Sequence, residues 1–211
     1  MKKIYPAIKR IFDFTAALAG LILLSPLLLV LAALVRCKLG SPVLFKQDRP
    51  GLNGKIFTMY KFRTMTDGRN KHGKLLPDEE RLTKLGAFLR KSSMDELPEL
   101  WNVLKGDMSL VGPRPLLTEY IDFYTEREML RHTVRPGITG LAQISGRNNL
   151  PWDERLEIDV KYIETISFKG DITILFKTIM QVIHADNVVI IPGTRQKKLS
   201  DIRKKGVQNG K

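Results

Sequence analysis

This chain has too few cysteines to staple itself and too few histidines to build a zinc site. Cys37 is alone among 211 residues, so no disulfide can close within the chain, which suits a reducing, cytosol-facing location. His72, His132 and His184 lie far apart, and none has a partner at ligand spacing. Acid is scarce as well. Lys and Arg outnumber Asp and Glu by 35 to 22, and the resulting +13 calls for an anionic partner: nucleic acid, an anionic lipid surface or a phosphorylated substrate. The common nucleotide and hydrolase signatures are missing too. Gly51-Leu52-Asn53-Gly54-Lys55 lacks the spacing of a P-loop, and no strand leads into G-x-G-x-x-G. Neither a Gly-x-Ser-x-Gly elbow nor a His-Glu-x-x-His helix is present.

What the chain does have is one long apolar run. Residues 16–35 are twenty consecutive uncharged residues, enough for a membrane helix. A cleaved signal would be shorter and would end in small residues; this run ends in Arg36-Cys37-Lys38 and is expected to stay. Ser25-Pro26 falls at its middle, where proline removes a helical hydrogen bond and forces a bend. Each half then reaches only about 14 Å, short of the roughly 30 Å bilayer core. Basic residues flank both ends: Lys2, Lys3, Lys9 and Arg10 before the run, Arg36 and Lys38 after it. A span should carry them mainly on one side. The pattern predicts a re-entrant hairpin over residues 1–38, with a proline-kinked span as the alternative.

Behind it, residues 39–190 read as one α+β catalytic domain, mainly helical with a short β-hairpin, and residues 191–211 as a basic tail. Residues 43–47 and 56–64 read as strands joined by a Pro50-Gly51 and Asn53-Gly54 turn, with Lys61 and Arg63 on one face. Residues 67–77 read as a polar loop, and 78–91 as a helix. Pro98 places a helix start near Asp95-Glu96, and Gly106 ends that helix. Gly112-Pro113-Arg114-Pro115 and residues 135–140 are stiff loops. Residues 151–165 form an amphipathic helix. Residues 171–186 form another, which packs on the core or lies in the bilayer interface; core packing is the expectation. The tail from Arg195 on carries seven basic residues against Asp201 alone, and is either solvated or bound to the leaflet.

The chemistry rests on Asp95-Glu96 and on cations held by rigid segments. An acidic pair at a helix start has a structural reading, as a cap worth about 0.5–2 kcal/mol. It also has a functional one. A carboxylate kept ionised among Lys61, Arg63, Arg90, Arg114 and Arg147 can attack phosphorus, and those cations supply the electrostatic stabilisation that phosphoryl transfer needs.

Taken together, the series Lys-Arg-Ile-Phe-Asp (9–13), Ser25-Pro26, Tyr-Lys-Phe-Arg-Thr-Met (60–65), Asp95-Glu96-Leu97-Pro98, residues 102–115, Arg-Pro-Gly-Ile-Thr-Gly (135–140) and Gln143 to Arg147 resembles the bacterial sugar transferases, the monotopic polyprenyl-phosphate phosphoglycosyl transferases. The match runs from about residue 8 to 185 and is most specific over 102–115; the chain is similar to the small forms. The resemblance implies a helix break at Ser25-Pro26 and interfacial amphipathic helices, on the cytoplasmic face of the bacterial inner membrane. It implies that Asp95 is the nucleophile on the β-phosphate of a UDP-sugar, releasing UMP, with undecaprenyl phosphate as acceptor. Glu96 assists; Lys61, Arg63, Arg90, Arg114, Gln143 and Arg147 bind substrate; Mg2+ sits near Asp95. Around Arg147-Asn148-Asn149 the resemblance implies an N-acetylated sugar.

Two rival classes share some of these features. A nucleic-acid binder would explain the charge, but the aromatic residues do not interleave with the basic ones as a stacking platform requires, so no nucleic acid is expected. A membrane scaffold would explain the hairpin but gives Asp95-Glu96 no purpose. The sequence leaves a homo-oligomer open.

Overall fold

The computed structural model describes residues 5–146, 150–184 and 198–208, with no side-chain detail beyond residue 204. The apolar run forms two helices, α1 (Tyr5–Leu23) and α2 (Ser25–Leu39), bent by 64° at the expected place. Pro26 lies in the first turn of α2, where its missing N–H costs nothing. The chain stays bonded across the corner: Leu24 N donates to Gly20 O at 2.9 Å and Ser25 Oγ to Ile22 O at 2.8 Å. Neither helix is long and apolar enough to cross a membrane; only the bent pair together reaches that measure. Ile22, Leu23 and Leu29 stand exposed around the bend, and contiguous apolar surface of this kind marks a contact with something apolar.

Away from the bend both helices are part of the folded domain. Ala17 is fully buried with Met59, Val103 and Met108. Leu31, Val35 and Leu39, spaced one turn apart on α2, pack with Phe62 and Leu89, and Met94 and Leu97 lie against the same cluster. The core therefore crosses the expected division at residue 38. The basic flank is also put to a different use. Lys9 pairs with Asp171 at 2.6 Å, while Arg10 donates to Val103 O at 2.6 Å and Leu104 O at 2.8 Å. Only Arg36 and Lys38 present their charges outward; Lys2 and Lys3 lie outside the described residues.

Strands β1 (Leu44–Pro50) and β2 (Ile56–Phe62) form the expected hairpin, antiparallel, with Phe45 opposite Lys61 and Arg49 opposite Phe57. The helix expected over residues 78–91 is instead two, α3 (Asp78–Arg81) and α4 (Lys84–Lys91). Leu82 is extended, bridging Met65, and Thr83 restarts the helix by accepting from Gly86 N at 3.0 Å. A Cβ on Gly86 would lie 1.9 Å from Thr64 O, so only glycine lets α4 approach the end of β2.

Helix α5 (Glu99–Lys105) ends at Gly106 in the left-handed region, as expected. The parallel pair β3 (Ser109–Val111) and β4 (Gly137–Thr139) was not expected; it ties the two stiff loops together, Ser109 beside Gly137 and Val111 beside Thr139. The short α6 (Glu126–Met129) lies between β3 and β4, and α7 (Leu141–Ser145) and α8 (Trp152–Glu164) follow β4. In α9 (Phe168–Ile183) the expectation of core packing fails. Only Asp171 and Ile174 are buried, while Phe168, Ile172, Phe176, Ile179 and Ile183 present an open apolar stripe. The described part of the tail is helical. Residues Leu199–Gln208 form α10, with Leu199 buried beside Trp152 and Leu156, and Arg203 pairing with Glu128 at 2.6 Å and Asp153 at 2.8 Å.

Gly86→Ala is expected to push α4 off Thr64 and lower the melting temperature of the detergent-solubilised protein by at least 5 °C, the effect of about 2 kcal/mol or more in a domain of this size. Unchanged melting would mean that the backbone contact at Thr64 is easily relaxed.

Candidate active site

The two-residue alternation of the hairpin places its functional side chains. Directly opposed residues of an antiparallel pair share a face, so Arg49 and Lys61 project to the same side, with Met59 between them. Against that face lies the segment carrying the carboxylates. Asp95 and Glu96 are not in the first turn of α5. They occupy a separate 3-10 turn, Met94–Glu96, entered through Ser93 in the left-handed region (φ 57°), and neither caps the helix. Asn102, fully buried on α5, fixes the two parts together by donating to Thr58 O at 2.7 Å and accepting from Tyr60 N at 3.1 Å.

The two carboxylates are treated very differently. Glu96 Oε1 receives Lys61 Nζ at 2.6 Å and Arg114 Nη2 at 2.6 Å. Burial disfavours its charge, but Arg114 and Lys61 outweigh burial and hold the Glu96 carboxyl well below the usual range. Asp95, 8% exposed, makes no hydrogen bond or ion pair among the described residues. Burial, and next the charge of Glu96, push it up to about 6, against the pull of Lys61, Arg114 and Arg90. The cations therefore offset the burial of Asp95 only in part, and no helix end helps, because Asp95 lies outside α5. It is still mainly ionised at neutral pH, and it is the less stabilised charge of the pair.

Arg114 is fixed as its neighbours suggested, between Pro113 and Pro115, and its carbonyl is further held by Arg131 Nη2 at 2.7 Å. That buried arginine is itself paired with Asp159 at 2.9 Å. Arg90 donates to Thr64 Oγ1 at 3.0 Å and acts on Asp95 through its field. Arg63 is elsewhere. The strand ends at Phe62, so the alternation that would have put Arg63 beside Lys61 is broken. Its guanidinium donates instead to Leu39 O (2.7 Å), Ser41 O (2.8 Å) and Met65 O (3.1 Å), clamping the link between α2 and β1. Gln143 donates to Ile138 O at 2.9 Å, bracing β4. Arg147 lies outside the described residues. Ser25 and Pro26 form the bend.

Two members of the cluster were not anticipated. Glu99, 1% exposed, has an oxygen 3.1 Å from Lys61 Nζ, and burial with repulsion from Glu96 raises its carboxyl. It stands one helical turn beyond Asp95 and Glu96, a spacing that was there to be read. Arg49 is the other; with Lys61, Arg114, Glu99, Met59 and Pro115 it lines a polar cavity of about 30 Å³. Among the described residues no cluster of three or more His, Cys, Asp or Glu is arranged to hold a metal.

Residues 4–185 match the family model described as bacterial sugar transferase, which is most of the chain. The chain belongs to that family. Proteins similar to it include an uncharacterized sugar transferase, EpsL, of Bacillus subtilis, 56% identical over 181 residues, or 86% of this chain and 90% of that protein. The UDP-glucose:undecaprenyl-phosphate glucose-1-phosphate transferase of Klebsiella pneumoniae is 42% identical over 183 residues, 82% of this chain and 39% of its own length. The UDP-N-acetylgalactosamine-undecaprenyl-phosphate N-acetylgalactosaminephosphotransferase of Aeromonas hydrophila is 41% identical over 189 residues, 85% of this chain and 44% of its own. This sugar transferase thus matches less than half the length of the latter two and nearly all of the first. It is an enzyme, a transferase.

The electrostatics of the site predict a trade of stability for charge. A carboxyl whose pKa rises on folding makes the folded state bind its proton more tightly, so stability falls as pH climbs through the folded value. Asp95→Asn in this sugar transferase is expected to be more stable than the wild type at pH 7.5, by on the order of 2–3 kcal/mol at most. The gap should narrow as pH drops through 6 toward 4. Chemical denaturation at several pH values measures it; equal stability at pH 7.5 would show that ionised Asp95 carries no burial cost.

Proposed function

We propose that this transferase moves a sugar 1-phosphate from a UDP-sugar to undecaprenyl phosphate, releasing UMP, through a covalent phosphosugar on Asp95. The observation that carries the reading is the division of labour in the acidic pair: Glu96 is held by two cations, while Asp95 is ionised at neutral pH yet left without a partner. An unpaired, partly desolvated carboxylate among Lys61, Arg90 and Arg114 is a nucleophile placed where anions collect. The printed names of the relatives from Klebsiella and Aeromonas supply the donor and acceptor classes.

An Asp95 oxygen forms a bond to the β-phosphorus as the bond to the bridging oxygen breaks, and UMP leaves with that electron pair. A phosphate oxygen of the lipid then attacks the same phosphorus and Asp95 departs, giving the polyprenyl diphosphate sugar. Glu96 acts by position, anchoring Lys61 and Arg114. Mg2+ fits the donor set: such ions are held by one or two carboxylates plus substrate phosphates, and Asp95 is the carboxylate not already paired. When bound, the ion neutralises diphosphate charge.

The bent α1–α2 pair is read as re-entrant in the bacterial inner membrane, both ends on the cytoplasmic face, with the apolar stripe of α9 lying on the same surface. The exposed bend at Ile22, Leu23 and Leu29 and the open stripe support this. The donor sugar is proposed to be N-acetylated, on the resemblance around Arg147-Asn148-Asn149; the names of the relatives include both glucose and N-acetylgalactosamine.

With UDP-sugar and Mg2+ but no lipid, the wild type is expected to release up to one UMP per site and carry the adduct on Asp95, seen by intact-protein mass spectrometry. Undecaprenyl phosphate should discharge it. Asp95→Asn should lose turnover by a factor of at least about 10³. The initial rate should fall as pH drops below about 6, where Asp95 takes up its proton. UMP that appears only with both substrates present, and no trappable adduct, would replace this path with direct transfer.

Single cysteines near positions 5 and 40, in a Cys37→Ser background, are both expected to react with an impermeant reagent from the cytoplasmic side only. Pro26→Leu, which restores a continuous helix, should shift the two ends to opposite sides in a measurable fraction of molecules. Opposite accessibilities in the parent would sink the hairpin.

A further inference from the structure

Arg49 is an arginine with no described counter-ion, set beside other cations. Its one described side-chain hydrogen bond runs from Nη2 to Gln47 Oε1 at 2.6 Å. Its Nε is buried and has no hydrogen-bond partner, and among the described residues no carboxylate lies within ion-pair distance. Burial pushes it down to about 10, and the charge of Arg114 pushes in the same direction. Such an arrangement costs stability unless an anion completes it.

The surroundings show where that anion would sit. Arg49, Lys61 and Arg114 all border the small polar cavity, and Glu99 is the one carboxylate among its lining residues. Glu99 is a weak counter-ion, since burial raises its carboxyl. The charges acting on Asp95 come from Glu96, Lys61, Arg114 and Arg90, whereas those acting on Arg49 come from Arg114, Glu99, Tyr120 and Tyr124. Arg114 and Lys61 both act on Asp95 and both border the cavity, whereas Asp95 is not among the residues that line it. The cavity, at about 30 Å³, has room for a small polar group such as a phosphate oxygen.

We propose that Arg49, with Arg114 and Lys61, forms a socket for the phosphate of the departing UMP. This rests on the reading of the site given under Proposed function and adds to it the residue that receives the leaving group. A diphosphate in line with Asp95 at its β-phosphorus directs its α-phosphate away from Asp95, toward the cavity that Arg114 and Lys61 share with Arg49. As the bond between the β-phosphorus and the bridging oxygen breaks, the electron pair moves onto that oxygen, which becomes a terminal oxygen of UMP. The added charge lands beside the buried Nε–H of Arg49, and no proton need be transferred. Donors aimed at charge that develops only in the transition state typically contribute 10²–10³-fold.

The test uses the full chain in nanodiscs. Arg49→Gln is expected to slow UMP release in a single turnover without lipid by about 100-fold. It should raise the dissociation constant of UMP, titrated by calorimetry, by about tenfold. Once the adduct has accumulated on long incubation, its discharge by undecaprenyl phosphate should proceed at the wild-type rate, because UMP has already left. Arg49→Lys, which restores the charge without the fork, should recover part of the UMP affinity. Equal slowing of both half-reactions, or unchanged UMP affinity in Arg49→Gln, would overturn the socket. So would a wild type that does not bind UMP. A wild type that binds UMP through Arg49 but forms no adduct would keep the socket and discard the covalent path.

Discussion

The site depends on a single oxygen. Glu96 Oε1 accepts both Lys61 and Arg114, and this shared contact fixes the hairpin, the 3-10 turn and the loop after β3 relative to one another. It also separates two adjacent carboxylates into different chemical states. A pair of acids side by side in a half-buried site cannot both be fully stabilised, because each charge raises the cost of the other. Concentrating the cations on Glu96 leaves Asp95 ionised but poorly satisfied, the condition in which a carboxylate reacts instead of resting.

The same economy extends outward. Arg114 would be an ordinary surface arginine were its backbone not held by two prolines and by Arg131, which is itself anchored on Asp159 of α8. The loop carrying it follows β3, and β3 is held from the other side by α1, where buried Asp13 accepts from Ser109 Oγ at 2.7 Å and Leu110 N at 3.1 Å. The N-terminal helix is thus a structural wall of the active site as well as a candidate anchor. The bend at Pro26 matters for the same reason: it turns α2 back so that Leu31, Val35 and Leu39 reach the cluster under Met94 and Leu97, next to Asp95.

Much of this was legible in the sequence, and the exceptions share a cause. Periodicity and turn residues placed the bend, the hairpin, α5 and α8, because these are local decisions. The break between Leu82 and Thr83 was missed because the apolar spacing continued through it, and the contact that decides it is with Thr64 and Met65, distant in sequence. The parallel pair of β3 and β4 is two short segments some 28 residues apart, too brief for any alternation to register. Arg63 was placed in the site by extending the alternation one residue past the point where the strand ends. Arg49 was passed over although it obeys the same alternation as Lys61, because its relevance appears only once the register of the hairpin is known. The exposed face of α9 was visible as an apolar stripe; the sequence left open what would cover it, and core packing was the wrong choice.

The joint between α1 and α9 has a consequence for how the chain is made. Tyr5 and Lys9 both bond to Asp171, at 2.5 and 2.6 Å, and Tyr162 adds a third bond to the same carboxylate at 2.8 Å. The first two partners are separated by 166 and 162 residues. During synthesis at about 5–20 residues per second, Lys9 therefore waits on the order of 10–30 s for its counter-ion. Throughout that interval Lys9 has only Asp13, one turn on and 3.9 Å away, to balance its charge, and the buried face at Ala17 lacks Val103 and Met108 for most of it. A segment made ahead of the rest of the described domain is among the last to be completed.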